Sequence, residues 1–372
     1  LANILLIASY APSLVNFRGP LIRTLVAQGH VVHVAAPEAQ AVIAASGLAG
    51  MVTAHDIPVD RTAIGILANL SALAAYLRVI RSVRPSHLLA YTIKPVVFGM
   101  LAGRLAGVPY RHALLTGLGY VFEHGSMRAR VLRVLIWPVY RAALRGAVVI
   151  FQNPDDAAVF QRLRLVSRDQ HVAVVNGSGI DLDQFRPVPL GNGKVVLLIA
   201  RLVEAKGVLD YVAAARIVHR SMPEAVFQIA GWIDAANPGA ITRQALDEWI
   251  ADGTIDYLGP LEDVRPALAA CTVFCLPSYY EGTPRTVLEA LATGRPVVTT
   301  DVPGSRETVR DGWNGRLVPP RAPAALAEAI LAVLDDRRDA ERMAAASLSY
   351  ARDRYDVVKV NASMIDAMGL AA

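Results

Sequence analysis

Glu281 and Glu289 frame the part of this sequence with the greatest capacity for chemistry. The run Pro277-Ser278-Tyr279-Tyr280-Glu281-Gly282 closes an apolar stretch and leads into Thr283-Pro284-Arg285 and a helical pattern that stops at Gly294. Thr283 suits an N-cap, Pro284 a first helical residue and Gly294 a C-terminal stop, so Glu281 belongs to the loop and Glu289 lies more than one turn inside the helix. Free amides at the helix start near Gly282 and Thr283 favour an anion or an array of hydroxyls, which the carboxylates would also grip. The spacing alone also allows Glu289 to be a plain helix-surface glutamate and Glu281 a loop charge, as most glutamates are.

A second cluster, Ala200-Arg201-Leu202-Val203-Glu204-Ala205-Lys206-Gly207, follows an apolar run and precedes a helical one. In a doubly wound sheet that junction commonly receives phosphates. The fork of Arg201 can take two phosphate oxygens while Lys206 adds a point charge, a set suited to a diphosphate leaving group. Two ordinary surface cations would read the same way in isolation.

The elements that must carry these groups are α/β throughout. Apolar runs at 3–9, 31–36, 86–91, 110–115, 147–151 and 172–175 alternate with helical stretches such as 19–28, which Gly29 ends. The Pro- and Gly-rich segment Arg186–Gly193 reads as a linker. Behind it the alternation restarts, with strands at 195–200, 225–230, 255–258, 272–277 and 296–300 and helices at 208–220 and 240–251. The expectation is two Rossmann-like doubly wound domains, 1–187 and 188–372, facing across a cleft that ligands enter at the carboxyl ends of the strands. Final helices at 323–334 and 340–355, with the tail behind them, are candidates to pack back on the first domain.

Composition supports this and removes other classes. With 372 residues, 54% hydrophobic and 19% charged, the chain can bury two cores without staples. Cys271 and Cys275 flank an apolar triplet and read as buried strand residues in a reducing, cytoplasmic setting. The N-terminus enters a strand without a secretory pattern, and no stretch reaches the roughly 18 uninterrupted apolar residues of a membrane span. The net charge of +5, carried mostly by arginine, suits phosphate-rich partners or anionic lipid, whereas no basic run interleaved with aromatics points to nucleic acid. Zinc, P-loop and dinucleotide motifs are absent from the sequence. Asp181-Leu182-Asp183, which could pass for a metal-binding D-x-D, falls just before the linker and is discounted.

Together, the E-x7-E pattern of Glu281 and Glu289 and the upstream Arg201/Lys206 pair resemble the retaining glycosyltransferases of family four, of GT-B fold. Asp301–Glu307 and Asp311–Gly315 extend the likeness through the second domain. Segments Asn16–Pro20, Tyr91–Pro95 and Leu115–Phe122 resemble a bacterial branch that extends polyprenyl-diphosphate-linked glycans. The resemblance implies that Arg201 and Lys206 hold the donor diphosphate, that Glu289 holds the ribose, and that Glu281 with Gly282, Thr283 and Pro284 contacts the donor sugar. Gly19, Thr116 and Gly117 would approach the donor from the first domain, Thr116-Gly117 standing where many members carry a histidine. His112 and His124 read as structural. The co-substrates implied are a nucleotide-sugar, uridine first, and a lipid-linked saccharide, with retention and with neither metal nor other cofactor. The arginine-rich stretch Arg128–Arg145 suggests contact with an anionic membrane, or equally a helix packed on the sheet with solvated arginines. Rival readings are a non-hydrolysing sugar-nucleotide epimerase and a sugar-nucleotide binding protein without turnover.

Overall fold

The computed structural model describes residues 1–59, 65–117 and 127–371. The chain divides into two compact units, 1–178 with 360–372, and 179–359.

The first unit holds a parallel sheet of β1 (Asn3–Ile7), β2 (Val31–Ala36), β3 (Thr53–Asp56), β4 (His87–Tyr91), β5 (Tyr110–Leu115), β6 (Val148–Phe151) and β7 (Val172–Val174), ordered β3-β2-β1-β4-β5-β6-β7. The second unit holds β8 (Val195–Ile199), β9 (Val226–Ala230), β10 (Asp256–Gly259), β11 (Val273–Leu276), β12 (Val297–Thr300) and β13 (Gly315–Val318), ordered β10-β9-β8-β11-β12-β13. Both sheets are doubly wound. The order reverses between β1 and β4 in one and between β8 and β11 in the other, and the crevice outside such a reversal is where this architecture binds ligands. Central strands such as β8 (VVLLI) and β11 (VFCL) are apolar without alternation because helices cover both faces.

The expected strands form within a residue or two of the expected limits. β3 and β13 were not foreseen: both are four-residue edge strands whose polar or glycine content hides the pattern. The helix expected from Ala240 starts instead at Arg243, because the Thr242 hydroxyl accepts from the Ala245 amide and caps it there. Cys271 and Cys275 are free and buried, and burial pushes the Cys271 thiol up to about 12.

The units meet at Ser178/Gly179 rather than at the 187/188 boundary suggested by composition. The Pro/Gly segment is bound to the second unit. Arg295, wholly buried, donates to the carbonyls of Cys271 (2.8 Å), Thr293 (3.1 Å), Val188 and Pro189 (3.3 Å). Arg337 donates to those of Leu190 (2.7 Å) and Gly191. Phe185 and Ile180 enter the core beside Tyr350 and Tyr355, and the Ile180 amide donates to the Tyr355 carbonyl at 2.7 Å. The last helix, Val357–Ala367, sends Met364 and Ile365 into the core of the first unit beside Leu21 and Leu25.

Candidate active site

At the reversal of the second sheet, two loops are tied backbone to backbone. The Tyr279 amide, after β11, donates to the Ala205 carbonyl, after β8, at 2.9 Å. Gly207 turns between them at φ +70, where an added Cβ would stand 2.0 Å from the Pro277 carbonyl oxygen, so only glycine allows the approach. Lys206 Nζ consequently reaches Glu281 Oε1 at 2.5 Å, and the Ser278 hydroxyl donates to the same oxygen at 2.7 Å. Glu281 itself is fixed from the far side: its amide donates to Pro303 at 3.2 Å, and Gly304 at φ +80 lies so close that a Cβ would meet the Glu281 carbonyl oxygen at 2.2 Å.

Arg201 stands on the same loop as Lys206. Its Nη1 donates to Asp234 Oδ2 at 2.7 Å, with the arginine side chain 40% exposed and the aspartate 15%. The loop after β9 is laced to this one: the Leu202 amide donates to Trp232 at 2.9 Å, that of Glu204 to Gly239 at 2.8 Å and that of Ile241 to Leu202 at 3.0 Å.

The helix Arg285–Thr293 begins one residue later than expected. Pro284, in the extended conformation, takes the N-cap position expected of Thr283. The amides of Arg285 and Thr286 precede the first intrahelical acceptor, directly behind Gly282–Pro284, whereas those of Val287 and Leu288 donate to the Pro284 carbonyl at 3.1 and 3.3 Å. Glu289, buried on the inner turn, accepts from Arg285 Nε at 2.9 Å. Burial raises its pKa and the guanidinium partly offsets that. Lys206 and Glu281 are therefore in direct contact, whereas Glu289 has its own partner one turn into the helix.

The remaining expected residues belong to the first unit. Gly19 opens the helix Gly19–Ala27, where a Cβ would make only ordinary contact with Arg23, so local space does not demand glycine. Thr116 and Gly117 follow β5, and Gly117 adopts φ +144. His124 and residues 118–122 of the quoted segment lie outside the described residues, as do the side chains of Arg128, Arg130 and Arg133. His112 sits within β5, 2% exposed, with neither ring nitrogen hydrogen-bonded among the described residues. Burial first, then neighbouring His87 and His171, lowers its pKa to about 3.

Asp234 and Ser278 were missed as site residues. The available signal was position: each follows the carboxyl end of a strand near the sheet's reversal, and side chains there face ligands. Among the described residues no group of three or more His, Cys, Asp or Glu side chains could hold a metal ion. No described helix is long and apolar enough to cross a membrane.

Two family models match: "Glycosyl transferase 4-like" over residues 3–153 and "Glycosyl transferases group 1" over residues 193–336. The chain is 27% identical over 341 residues, 88% of each chain, to N,N'-diacetylbacillosaminyl-diphospho-undecaprenol alpha-1,3-N-acetylgalactosaminyltransferase of Campylobacter jejuni. It is 26% identical to UDP-Gal:alpha-D-GlcNAc-diphosphoundecaprenol alpha-1,3-galactosyltransferase of Escherichia coli, over 77% of this chain and 76% of that one. Among solved structures, HepE of Anabaena in complex with UDP and glucose superposes with a TM-score of 0.77 at 20% identity over the whole of both chains. Sucrose-phosphate synthase of Thermosynechococcus elongatus gives 0.79 at 19%, over 98% of this chain and 97% of that one. The two models cover β1–β6 and β8–β13 in turn, and with the GT-B likeness they place the chain in the group 1, family four glycosyltransferases.

Proposed function

We propose that this enzyme moves a hexosyl or N-acetylhexosaminyl group, with retention, from a UDP-sugar to a hydroxyl of a polyprenyl-diphosphate-linked saccharide, without a metal ion. The observation that carries the reading is the set of Arg201, Lys206 and Glu281 gathered on two tied loops at the reversal of the second sheet. The names of the two curated relatives, both transferases acting on undecaprenyl-diphosphate-linked sugars, support the acceptor class.

In this reading residues 179–359 bind the donor and the first unit binds the acceptor. Arg201 and Lys206 take the diphosphate, Glu289 the ribose, and Glu281 with Gly282–Pro284 the sugar; Gly19, Thr116 and Gly117 serve the donor from the first unit. As the bond from the anomeric carbon to the diphosphate oxygen breaks, the two cations stabilise the charge collecting on the phosphates. The acceptor oxygen bonds to the anomeric carbon on the same face, and its proton passes to the departing phosphate oxygen. Preformed cations can do for the leaving group what a divalent ion does elsewhere.

The charge of the first unit supports action at the cytoplasmic face of a membrane. Residues 1–178 and 360–372 carry 17 basic against 8 acidic residues, a net +9, whereas 179–359 carry 20 against 24, a net −4. A basic body is drawn to anionic lipid, where a lipid-linked acceptor resides.

The test is nucleoside-diphosphate release from a panel of uridine and guanosine sugar nucleotides, with chelator, with and without a polyprenyl-diphosphate-linked saccharide. Release that needs acceptor, survives chelator and disappears in Lys206→Ala is the expected result. Donor conversion without acceptor would replace transfer by epimerisation, and no release from any pair would remove the acceptor assignment.

A further inference from the structure

Asp234 has no assigned role, yet among the described residues it is the only hydrogen-bond partner of the Arg201 side chain. It engages one nitrogen, Nη1, and leaves Nε and Nη2 without a hydrogen bond to any described residue. The arginine is substantially open to solvent and the aspartate is not. Asp234 is held on a loop that three main-chain hydrogen bonds join to the Arg201 loop, and its own carbonyl accepts from the Asn237 amide at 2.8 Å. Asn237 Oδ1 in turn accepts from the Gly239 amide at 3.0 Å, and Val203 bridges to Ala240. The carboxylate is thus a fixed post and the guanidinium a long, rotamer-rich chain fastened to it at one end.

We propose that Asp234 is a positioning residue that holds the Arg201 guanidinium ready for the donor's diphosphate, an inference that rests on the donor-site reading above. A free arginine loses side-chain entropy when a ligand fixes it, and one already anchored loses less. Anchoring through Nη1 leaves the opposite edge of the fork, Nε and Nη2, as the pair that can meet two phosphate oxygens side by side. The counter-charge lowers the local field of the cation, so the benefit lies in geometry rather than in charge. That distinction is testable, because asparagine at 234 keeps the accepting oxygen and loses the charge.

The experiment titrates UDP, to millimolar concentration, by the melting shift it produces in the full chain, in wild type, Asp234→Ala, Asp234→Asn, Arg201→Ala and Arg201→Ala/Asp234→Ala. Loss of the anchor in Asp234→Ala is expected to weaken UDP about tenfold, the size of one hydrogen bond to a charged group. Asp234→Asn should return binding to within about threefold of wild type, since the acceptor is restored. In the Arg201→Ala background, Asp234→Ala should change nothing further, since the residue acts only through the arginine. UDP binding unchanged or tightened in Asp234→Ala, or a loss of equal size without Arg201, overturns the inference and leaves the donor site standing. Absence of binding to wild type by UDP, GDP and ADP alike overturns the donor-site reading and this inference with it.

Discussion

The two sheets reverse their strand order at equivalent places, yet what stands there differs in kind. At the first reversal, Ser9 after β1 and Thr92 after β4 share a hydrogen bond of 2.8 Å between hydroxyls, with Thr92 in the left-handed region at φ +67. At the second, the same two positions in the topology carry Lys206 and Glu281. Several arginines follow a parallel contrast, although Arg186, Arg220 and Arg295 of the second unit donate to main-chain carbonyls. Arg104, Arg111 and Arg141 of the first unit donate to main-chain carbonyls of Ala142, Arg145, Gly146 and Arg164, whereas Arg201, Arg216, Arg243, Arg265 and Arg285 of the second pair with carboxylates. An arginine bonded to a carbonyl keeps its full charge for the surroundings, and one paired with a carboxylate does not. One fold has thus been given a net basic body and a locally compensated, charge-bearing crevice.

The largest effect that would test this contrast is on rate. Lys206→Ala should lower kcat/KM for donor about 10^3-fold, the range for removing a group that stabilises developing charge, whereas Ser9→Ala at the matching place should leave UDP affinity unchanged. Steady-state kinetics and UDP titration of both variants check the pair. Next in size is backbone crowding: Gly304→Ala, whose Cβ must displace the Glu281 and Gly282 carbonyls, should cost about 3 kcal/mol in denaturant unfolding. Gly107→Ala in the first unit, also at positive φ but with open space around it, should cost only about 1 kcal/mol.

The units should also respond to pH with opposite sign. His112 is neutral when folded, with its pKa lowered to about 3, so the unfolded first unit binds the extra proton. Its contribution is present above the ordinary histidine pKa of about 6.5 and is lost as pH falls towards 3. Glu289 has a raised pKa, so the folded second unit holds the proton more tightly, and its contribution is present at low pH and lost as pH rises through the folded value. Hydrogen exchange followed separately at β5 and at the helix Arg285–Thr293 across this range should slope in opposite directions, and His112→Leu should flatten only the first. The smallest effect concerns lipid. Exposed Arg145, Arg162 and Arg168 changed together to Gln should weaken flotation on anionic liposomes by about 1 kcal/mol for each charge near the surface, while Arg216→Gln and Arg243→Gln of the second unit should not.

Much of this was legible because apolar runs in parallel sheets need no partner to be recognised. Most strands, the carboxyl-end placement of Arg201, Lys206 and Glu281, and the helix behind them follow from runs, glycines and caps. The contact between Lys206 and Glu281 does not, since it depends on the Tyr279–Ala205 hydrogen bond and on the absent side chain of Gly207. Asp234 was hidden for a similar reason: a lone aspartate after a strand carries no pattern, and its meaning arises only when two distant loops are laced. Short edge strands β3 and β13 lack the apolar content that revealed the others.

Arg295 and its hold on the Val188 and Pro189 carbonyls bear on how the halves can be separated. Cutting the gene at residue 188 would strip the second unit of Ile180 and Phe185, whose side chains fill its core, and would leave it trailing Met364 and Ile365 with no core of their own. A second half cut with its core intact runs instead from Gly179 to Lys359, and a first half keeps its core only with residues 360–371 spliced back onto 1–178.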